Sequence, residues 1–309
     1  MASRHFPAKS ALTRRPFTSL ELCAGAGGQA LGLEQAGFDH SGLVEIDPHC
    51  CNTLRLNRPD WAVHQADLNN FVGTSYCGTI DLLAGGVPCP PFSKAGKQLG
   101  ADDERNLFPA AIRLVGEVKP RAVLFENVRG LLDPVFADYR AFITRSLDEM
   151  GYSSFWKLLN ARDFGVPQLR PRVMFVALRS EIAPHFEWPA VSEIPTVTVG
   201  QALVELMAER GWKGAKEWAD RASDIAPTLV GGSKKHGGPD LGPTRARAAW
   251  SKLCVDGKTL AAAAPGCRAR PVLLAARVAR VVPAVRVARF PVMVARAVSA
   301  VMAVRAVPV

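Results

Sequence analysis

The sequence predicts an α/β protein in which a parallel sheet carries its ligand site at the carboxyl ends of the strands. Short apolar segments alternate with segments that are apolar at helical spacing between Ser19 and Leu178. A glycine-rich turn follows the first predicted strand, and a proline-rich turn that contains a cysteine follows the fourth. Because ligands bind at the carboxyl ends of the strands in open α/β sheets, both turns are candidates for one site.

The first unit has the strand, turn and helix order of a nucleotide-cofactor site. Ser19–Cys23 is predicted as a strand, Ala24–Gly28 as a tight glycine turn and Gln29–Ala36 as a helix. Glycines permit a ligand to approach the backbone closely, and the N-terminus of the helix faces that ligand. Many α/β proteins contain such a turn, so this pattern alone indicates a cofactor site only weakly.

Two acidic residues follow in the next units. Glu45 lies in the predicted strand Leu43–Asp47, about 20 residues beyond the first glycine, where a carboxylate commonly receives ribose hydroxyl groups. The alternative is a surface acid at a strand end. Asp67, in the segment His64–Leu68, is expected either to accept a hydrogen bond from an adenine amino group or to cap the next helix.

A rigid turn holds Cys89 just beyond the fourth predicted strand, Thr79–Ala84. Gly85 and Gly86 let the backbone leave the strand, and three prolines around the cysteine restrict the chain to extended geometry. A thiol held in this way suits a nucleophile, because a covalent step needs a positioned sulfur that can become a thiolate. The alternative is a buried structural cysteine, which the Cys-Pro pair alone would favour.

The fifth predicted strand, Arg121–Phe125, delivers Glu126 beside the cysteine turn if the fourth and fifth strands are neighbours. A carboxyl group in a semi-enclosed pocket can be partly protonated and act as a general acid. A helix-capping or salt-bridged acid is the alternative. Before this strand, Ser93–Asn106 is predicted as a loop able to fold over a ligand, or as an ordinary surface loop, and Leu107–Val118 as a helix.

A helix and two further strands complete the predicted sheet. Phe136–Met150 suits a helix, and Ser154–Leu159 and Arg172–Leu178 suit two strands of a hairpin. Arg170 and Arg172 alternate on an extended segment and therefore point the same way. Two guanidinium groups on one face can hold a carboxylate, a phosphate or a base carbonyl, and the alternative is a solvated strand face.

The composition changes after Glu187, and three regions are predicted. Residues 1–181 form a cofactor-binding and catalytic domain, and residues 182–265 form a smaller, irregular domain whose basic loop Gly231–Gly238 suits phosphate contacts. Residues 266–309 form a tail with eight arginines and no lysine or acidic residue. The residue composition of the tail is typical of a GC-rich coding region read in the wrong frame. The tail is therefore either a frameshift product or a genuine basic, apolar segment that lies on a membrane surface or on nucleic acid.

The net charge of +10 does not by itself predict nucleic-acid binding, because residues before the tail include 30 basic and 28 acidic side chains. A DNA-binding surface is therefore expected to be a local patch. The seven cysteines form no CxxC pair, which predicts neither a metal site nor a disulfide framework and favours a reducing compartment. The sequence has no apolar run of about 18 residues, so no membrane span is predicted.

Four motifs, in this order and spacing, resemble those of the DNA (cytosine-5) methyltransferase family. They are LCAGAGG from Leu22, PCPPFS from Pro88, ENV from Glu126 and QLRPR from Gln168. The likeness runs from Ser19 to about Leu178, with a fainter match near Thr228. It implies a Rossmann-like sheet of the S-adenosylmethionine-dependent methyltransferases, with residues 182–265 as the target-recognition domain.

The resemblance also implies a role for each matched residue. Cys89 would be the nucleophile, and Glu126 would contact the ring nitrogen and the exocyclic amine of cytosine. Arg170 and Arg172 would order the catalytic loop and the base carbonyl. The S-adenosylmethionine site would be lined by Cys23, Ala24, Gly25, Gly27, Gly28, Glu45, Ile46, Asp67, Leu68 and Pro88.

The implied activity is sequence-specific methyl transfer to carbon 5 of cytosine in double-stranded DNA, through a covalent cysteine adduct with a flipped base and without a metal. We further expect a cytoplasmic, nucleoid-associated monomer with a cognate restriction endonuclease that acts on the same site. One alternative is the same chemistry on tRNA. Another is a catalytically impaired nucleic-acid-binding relative, because two family segments, one Gln-Gly-Phe-Pro-like and one containing Gly-Asn, are not found after Pro265. A dinucleotide oxidoreductase would leave the last three motifs unexplained.

Overall fold

A computed structural model describes residues 15–88, 106–190, 196–209, 211–228 and 244–255, which contain one seven-stranded sheet. Every strand predicted from the sequence overlaps an observed strand, so the α/β class is confirmed. The strands are β1 (Phe17–Leu22), β2 (Phe38–Glu45), β3 (Val63–Gln65), β4 (Leu82–Gly85), β5 (Ala122–Val128), β6 (Tyr152–Asn160) and β7 (Pro171–Arg179).

The strand order is β3-β2-β1-β4-β5-β7-β6. Strands β1 to β5 are parallel, whereas β7 is antiparallel to both β5 and β6. The order reverses between β1 and β4, which pair directly. This reversal is the topological switch point, where an open α/β sheet leaves a crevice beyond the strand ends. Strands β4 and β5 are neighbours, as the placement of Glu126 beside the cysteine turn requires.

Four helices accompany the sheet strands along the chain. They are α1 (Gly28–Gln35), α2 (Pro48–Asn57), α3 (Phe108–Val118) and α4 (Ala137–Asp148). Three of them overlap predicted helices, whereas the sequence analysis did not include α2. The side chain of Asp47 caps α2 by accepting hydrogen bonds from the N–H groups of His49 and Cys50, and Pro48 occupies the first helical position.

The central strands are buried on both faces. Leu83 of β4 and Val123 of β5 belong to the core cluster that includes α3 and α4. Leu82 and Leu124 point to the opposite face and belong to a second cluster, which includes Leu33 of α1. Side chains alternate between the two faces of a strand, so burial on both faces requires continuous apolar runs. Such runs made β4 and β5 recognisable in the sequence.

Strands β6 and β7 form the predicted hairpin pair, with a register that runs from Tyr152 opposite Arg179 to Asn160 opposite Pro171. Strand β7 also pairs with β5, and Arg172 lies opposite Val128. Because β7 runs against β5, the first residues of β7 lie at the carboxyl end of β5. The fold therefore brings the arginine motif to the edge of the sheet that carries Glu126.

Two strands begin three or more positions away from the predicted start. Strand β2 begins at Phe38 instead of Leu43, because Phe38 is buried and packs against Phe17 with 5.9 Å between the ring centroids. Strand β4 begins at Leu82 instead of Thr79. The preceding residue, Asp81, uses its carboxylate to accept a hydrogen bond of 2.9 Å from the N–H of Thr18.

The part of the chain after residue 195 has helices that were not predicted. The described residues form α5 (Val199–Ala208), α6 (Ala215–Arg221) and α7 (Thr244–Lys252). Trp218 and Trp250 lie in a separate apolar cluster of this region. Its backbone meets the sheet domain where the N–H of Leu169 donates to the carbonyl of Ala226 over 2.7 Å. The domain boundary near residue 182 stays a prediction.

Two predicted features, the basic loop at residues 231–238 and the tail at 266–309, lie outside the described residues. Within the ranges that are described, no helix has both the length and the apolar character needed to cross a membrane.

Candidate active site

The turn after β1 contains three residues in left-handed backbone geometry. Cys23, Gly25 and Gly27 have φ angles of 53°, 54° and 90°, a region that glycine adopts at least cost. A Cβ atom at Gly27 would lie 2.6 Å from Cδ2 of Leu54, so both the φ angle and the packing of α2 favour glycine there. A Cβ at Gly25 or Gly28 would meet no described atom within 4 Å, which leaves space beside the turn.

Glu45 holds this turn from the end of β2. Its Oε2 accepts a hydrogen bond of 2.7 Å from the N–H of Gly25, and its Oε1 accepts one of 2.8 Å from the N–H of Asp47. Glu45 is 9% exposed, so the alternative of a surface acid is wrong. The next residue, Ile46, is 62% exposed and presents an apolar side chain directly after the buried carboxylate.

Asp67 follows β3 and caps no helix among the described residues, so that alternative is wrong. Its Oδ1 accepts a hydrogen bond of 2.9 Å from the N–H of Asn69. Its Oδ2 has no hydrogen-bond partner in the described part of the chain and is available to a donor on a ligand. Leu68 and Ala24, two further residues predicted to line the cofactor site, are buried.

Acidic groups surround the turn and make its environment negative. Burial raises the pKa of the Cys23 thiol to about 12, and nearby carboxylates contribute to the rise. Cys23 therefore stays protonated at neutral pH and does not act as a nucleophile. The contributing carboxylates are Glu45, Asp67 and Glu21.

Glu21, on β1, is the acid of this group with the lowest exposure, 1%. Burial raises its pKa to about 8, against a hydrogen bond from the backbone of Ala30 that lowers it. Its Oε2 and the Nε2 of Gln29 are buried without hydrogen-bond partners in the described structure. Buried polar atoms without partners are unfavourable, so these two atoms near the turn fit a site that a polar ligand completes.

Glu126 and Arg172 form an ion pair at the ends of β5 and β7. The Nε of Arg172 lies 2.7 Å from Oε1 of Glu126, and the two side chains are 14% and 29% exposed. A Cβ at Gly86 would lie 3.8 Å from Oε2 of Glu126, so the carboxylate faces the segment that leads from β4 towards Cys89. The salt-bridged alternative for Glu126 is therefore observed, and it leaves Oε2 directed at that segment.

Arg170 interacts electrostatically with both members of the Glu126–Arg172 pair. Burial lowers its pKa, the charge of Arg172 lowers it further, and the charge of Glu126 raises it. Arg172 is 14% exposed and ion-paired, so the alternative of a solvated strand face is wrong for this residue. That the two arginines point the same way stays a prediction, which the influence of Arg172 on the pKa of Arg170 supports.

Asn127 connects the two strand ends that carry the predicted catalytic residues. Its Nδ2 donates a hydrogen bond of 2.8 Å to the carbonyl of Val87, and the residue is 7% exposed. The next residue in that segment, Pro88, is exposed, and its carbonyl accepts from the N–H of Leu107 over 3.4 Å. Cys89 lies outside the described residues. No role was predicted for Asn127, although an amide at the end of an apolar strand is a signal for one.

Comparison with protein families matches residues 17–238 to C-5 cytosine-specific DNA methylases. The Type II methyltransferase M.NgoMIV of Neisseria gonorrhoeae is 62% identical over 214 residues, which cover 69% of this chain and 68% of the relative. The Type II methyltransferase M.NaeI of Lentzea aerocolonigenes is 55% identical over 249 residues, which cover 80% of this chain and 60% of the relative. The chain thus spans about two thirds or less of the length of these relatives.

Solved structures show the same fold. A DNA modification methyltransferase encoded within an Escherichia coli prophage has a TM-score of 0.53 and 30% identity, over 60% of this chain and 54% of that one. The S. pombe Dnmt2 methyltransferase has a TM-score of 0.54 over 93% of this chain and 98% of that one, and at 17% identity it supports the fold alone. Because the family match includes every residue of the site described above, the chain belongs to the C-5 cytosine-specific DNA methylases, and the enzyme class predicted from its motifs is confirmed.

Proposed function

We propose that this chain methylates carbon 5 of cytosine in double-stranded DNA with S-adenosylmethionine, through a covalent adduct between Cys89 and a flipped base. One observation carries the proposal. The glycine turn after β1, with Glu45 and Asp67 beside it, lies at the same edge of the sheet as the Glu126–Arg172 pair. The turn and the pair lie on either side of β4, and β4 leads to Cys89. Family membership supplies the reaction class, and this placement supports a division of the edge into a cofactor half and a base half.

The cofactor would lie beside the turn after β1. Glu45 would receive the ribose hydroxyl groups, since each oxygen of a carboxylate can accept more than the one hydrogen bond it has here. Asp67 Oδ2 would accept from the adenine amino group, and exposed Ile46 would contact the ring. The negative environment suits a ligand with sulfonium and ammonium cations, and the bound cofactor would supply an activated methyl group.

The remaining cofactor residues would shape the site. Their proposed roles follow from their positions. The glycines on the open side of the turn would leave space for the ligand, the buried residues would fix the backbone, and the exposed proline after β4 would lie near the sulfonium. They are Gly25, Gly28, Cys23, Ala24, Gly27, Leu68 and Pro88.

Carbon 5 of cytosine is a poor nucleophile until the ring is activated. The thiolate of Cys89 would add to carbon 6, while Glu126 stabilises the charge that develops at ring nitrogen 3. Carbon 5 would then take the methyl group, a base would remove its proton, and departure of the thiolate would restore the double bond. Arg172 would hold Glu126 in place, and Arg170 would contact the base carbonyl.

The base must leave the duplex to reach this pocket, because its reacting atoms are otherwise stacked. Residues 182–265 would select the DNA sequence, and the described part of this region includes helix α7 with Arg245, Arg247 and Lys252 on it. Basic side chains of this kind contact phosphates. Both relatives reported above are named Type II methyltransferases, which favours DNA over tRNA as the substrate.

The names of those relatives also favour a restriction-modification setting. We therefore propose a cognate restriction endonuclease that acts on the same DNA site. We also propose that the protein acts as a cytoplasmic, nucleoid-associated monomer. Size measurement by light scattering, without DNA and with a duplex that contains the methylated site, tests the monomer.

Bisulfite sequencing of DNA from cells that express the chain tests the main proposal. We expect one cytosine to be methylated within a recurring sequence, and no methylation with Cys89→Ser at equal protein level. Analysis of tRNA from the same cells separates the alternative substrate. Methylated tRNA beside unmethylated DNA would overturn the DNA assignment, and unmethylated DNA and tRNA at a verified protein level would favour the impaired relative.

A further inference from the structure

Arg113 on α3 binds the loop that follows Asp67 through three backbone carbonyls. Its Nη2 lies 3.1 Å from the carbonyl oxygen of Leu68, 3.3 Å from that of Asn69 and 3.0 Å from that of Phe71. A guanidinium group is planar and always charged, and its donors have a fixed geometry. Within the loop, the carbonyl of Asp67 accepts hydrogen bonds of 3.0 Å from the N–H groups of Asn70 and Phe71, which form a turn. The guanidinium group of Arg113 ties this turn to α3.

Glu117, one helical turn later on α3, completes the contact. It forms an ion pair with Arg113, and its Oε2 accepts a hydrogen bond of 2.6 Å from the N–H of Gly73. A Cβ at Gly73 would lie 2.8 Å from Cγ2 of Val118 and 3.0 Å from Cδ2 of Leu114. The absence of a side chain therefore lets the loop reach the helix closely enough for the Glu117 bond.

We propose that Arg113 and Glu117 are positioning residues for the adenine end of the cofactor site. The inference rests on the proposed function, in which Asp67 Oδ2 accepts from the adenine amino group. Asp67 itself has one side-chain hydrogen bond among the described residues, to the N–H of Asn69 within the same loop. Arg113 binds the carbonyl of Asn69 and of Leu68, the residue after Asp67, so its guanidinium group fixes the segment that orients the carboxylate.

The chain offers a matched control for this arrangement. Arg140 on α4 makes the same kind of contact with another loop, because its Nη1 donates to the carbonyl of Leu131 over 2.7 Å and to that of Asp133 over 3.0 Å. That loop follows β5 and is not part of the proposed cofactor site. Arg140→Met and Arg113→Met each remove contacts between a guanidinium group on a helix and the carbonyls of a loop, and Arg113→Met also removes the ion pair with Glu117. Only the Arg113 contacts are predicted to matter for cofactor affinity.

The test is isothermal titration of the full chain and its variants with S-adenosylhomocysteine and with S-adenosylmethionine. We expect Arg113→Met to raise both Kd values about tenfold, the size of a lost charged hydrogen bond, and Arg140→Met to leave them within about twofold. Arg113→Lys keeps the charge beside Glu117 but not the fork, so its Kd values should fall between those of the wild type and Arg113→Met. In DNA methylation, the KM for the cofactor should rise and kcat should not change.

A merely structural role would give a different result. Arg113→Met would then lower Tm and the folded fraction, and hence the maximal rate, with Kd and KM unchanged, and that result would overturn the inference. If Arg113→Met does not fold, Glu117→Gln replaces it, because glutamine can still accept from Gly73 but lacks the charge that pairs with Arg113. Equal affinities for Glu117→Gln and the wild type would then contradict the proposal.

The two levels of the argument fail separately. If the wild-type chain binds neither S-adenosylmethionine nor S-adenosylhomocysteine, the proposed function is wrong. If the wild type binds them and Arg113→Met binds them with the same affinity, only the positioning role is wrong. Hydrogen exchange in the ligand-free chain gives an independent readout, and the amides of residues 68–73 should exchange faster in Arg113→Met than in Arg140→Met.

Discussion

The two proposed halves of the sheet edge, the cofactor half and the base half, each contain a glutamate, and the two carboxylates have different partners. In the cofactor half, both oxygens of Glu45 accept hydrogen bonds from backbone N–H groups. In the base half, Oε1 of Glu126 lies against the guanidinium group of Arg172, and Arg170 lies within range of both charges. The first carboxylate accepts hydrogen bonds from the main chain, whereas the second faces the cations of two side chains.

This difference in partners suits a difference in task. A carboxylate held by backbone N–H groups stays a permanent acceptor, which suits the ribose recognition proposed for Glu45. A carboxylate beside arginines can respond to charge that appears and disappears on a ligand during a reaction. If the proposed roles are right, the donors around an acidic residue at a strand end decide its role, and the residue type alone does not.

Removal of the thiol should give the largest effect, because it stops the reaction in the base half and leaves the cofactor half unchanged. We expect Cys89→Ala to abolish methyl transfer and to bind S-adenosylhomocysteine like the wild type. DNA with 5-fluorocytosine at the target traps the adduct, since fluorine at carbon 5 prevents the elimination. A trapped complex of normal yield in Cys89→Ala would show that another residue is the nucleophile.

The next effect in size should come from Glu126→Gln, which keeps the shape of the side chain but cannot donate or share a proton in the same way. General acid–base groups typically contribute about 10²–10⁴-fold in rate, and we expect a loss of kcat in that range. Cofactor affinity, measured by titration, should stay within about twofold. A large loss of cofactor affinity with a small kinetic defect would contradict this prediction and assign Glu126 to the cofactor half.

Glu45→Gln is the corresponding substitution in the cofactor half. An amide has one acceptor oxygen, so its NH₂ group would face the N–H of Gly25 or of Asp47. Loss of a charged hydrogen bond of this kind should weaken S-adenosylmethionine binding about 10- to 100-fold. At saturating cofactor, kcat should be close to normal. Glu34→Gln, a half-exposed acid on α1 that pairs with Arg58, is the control and should change neither quantity.

Much of this comparison was predictable from the sequence. Apolar runs that end in glycine or acidic residues identified the strands of both halves, because strands buried on both faces cannot alternate with polar residues. The requirement that β4 and β5 be neighbours was stated as a condition, and the sheet meets it. The arginine pair was predicted to share one face, and the influence of the charges of Arg172 and Glu126 on the pKa of Arg170 supports that prediction.

The long-range contacts within each half were not predictable in the same way. The bond from Asn127 to the carbonyl of Val87 and the contacts of Arg113 join residues about 40 positions apart, and neither depends on a local pattern. The burial of Glu45 was also open, because an acid at a strand end is as often exposed. Helix α2 had a local signal in Asp47 and Pro48 that was not used, and α5, α6 and α7 lie where the hydrophobic period was weak.

The smallest effect we expect concerns stability, and it tests whether the cofactor half is as acidic as its residues suggest. Burial raises the pKa of Glu21 to about 8, from a value of 4.5 for an exposed carboxyl group. The folded chain therefore holds a proton on Glu21 at pH values at which the unfolded chain has lost it. Folding stability from this group is complete below pH 4.5 and is lost as the pH rises towards 8, by at most about 1.4 kcal/mol per pH unit.

Glutamine at position 21 cannot titrate, so the free energy of unfolding of Glu21→Gln should lack this component. We expect the difference between the variant and the wild type to shift steadily in favour of the variant between pH 5.5 and pH 8, because the wild type alone loses stability there. Urea unfolding at several pH values measures the difference, in which the titrations common to both chains cancel. If the free energies of unfolding of the two chains change in parallel with pH, Glu21 is ionised in the folded chain over this range. The proposed cofactor half would then carry one more negative charge than the raised pKa of Glu21 predicts.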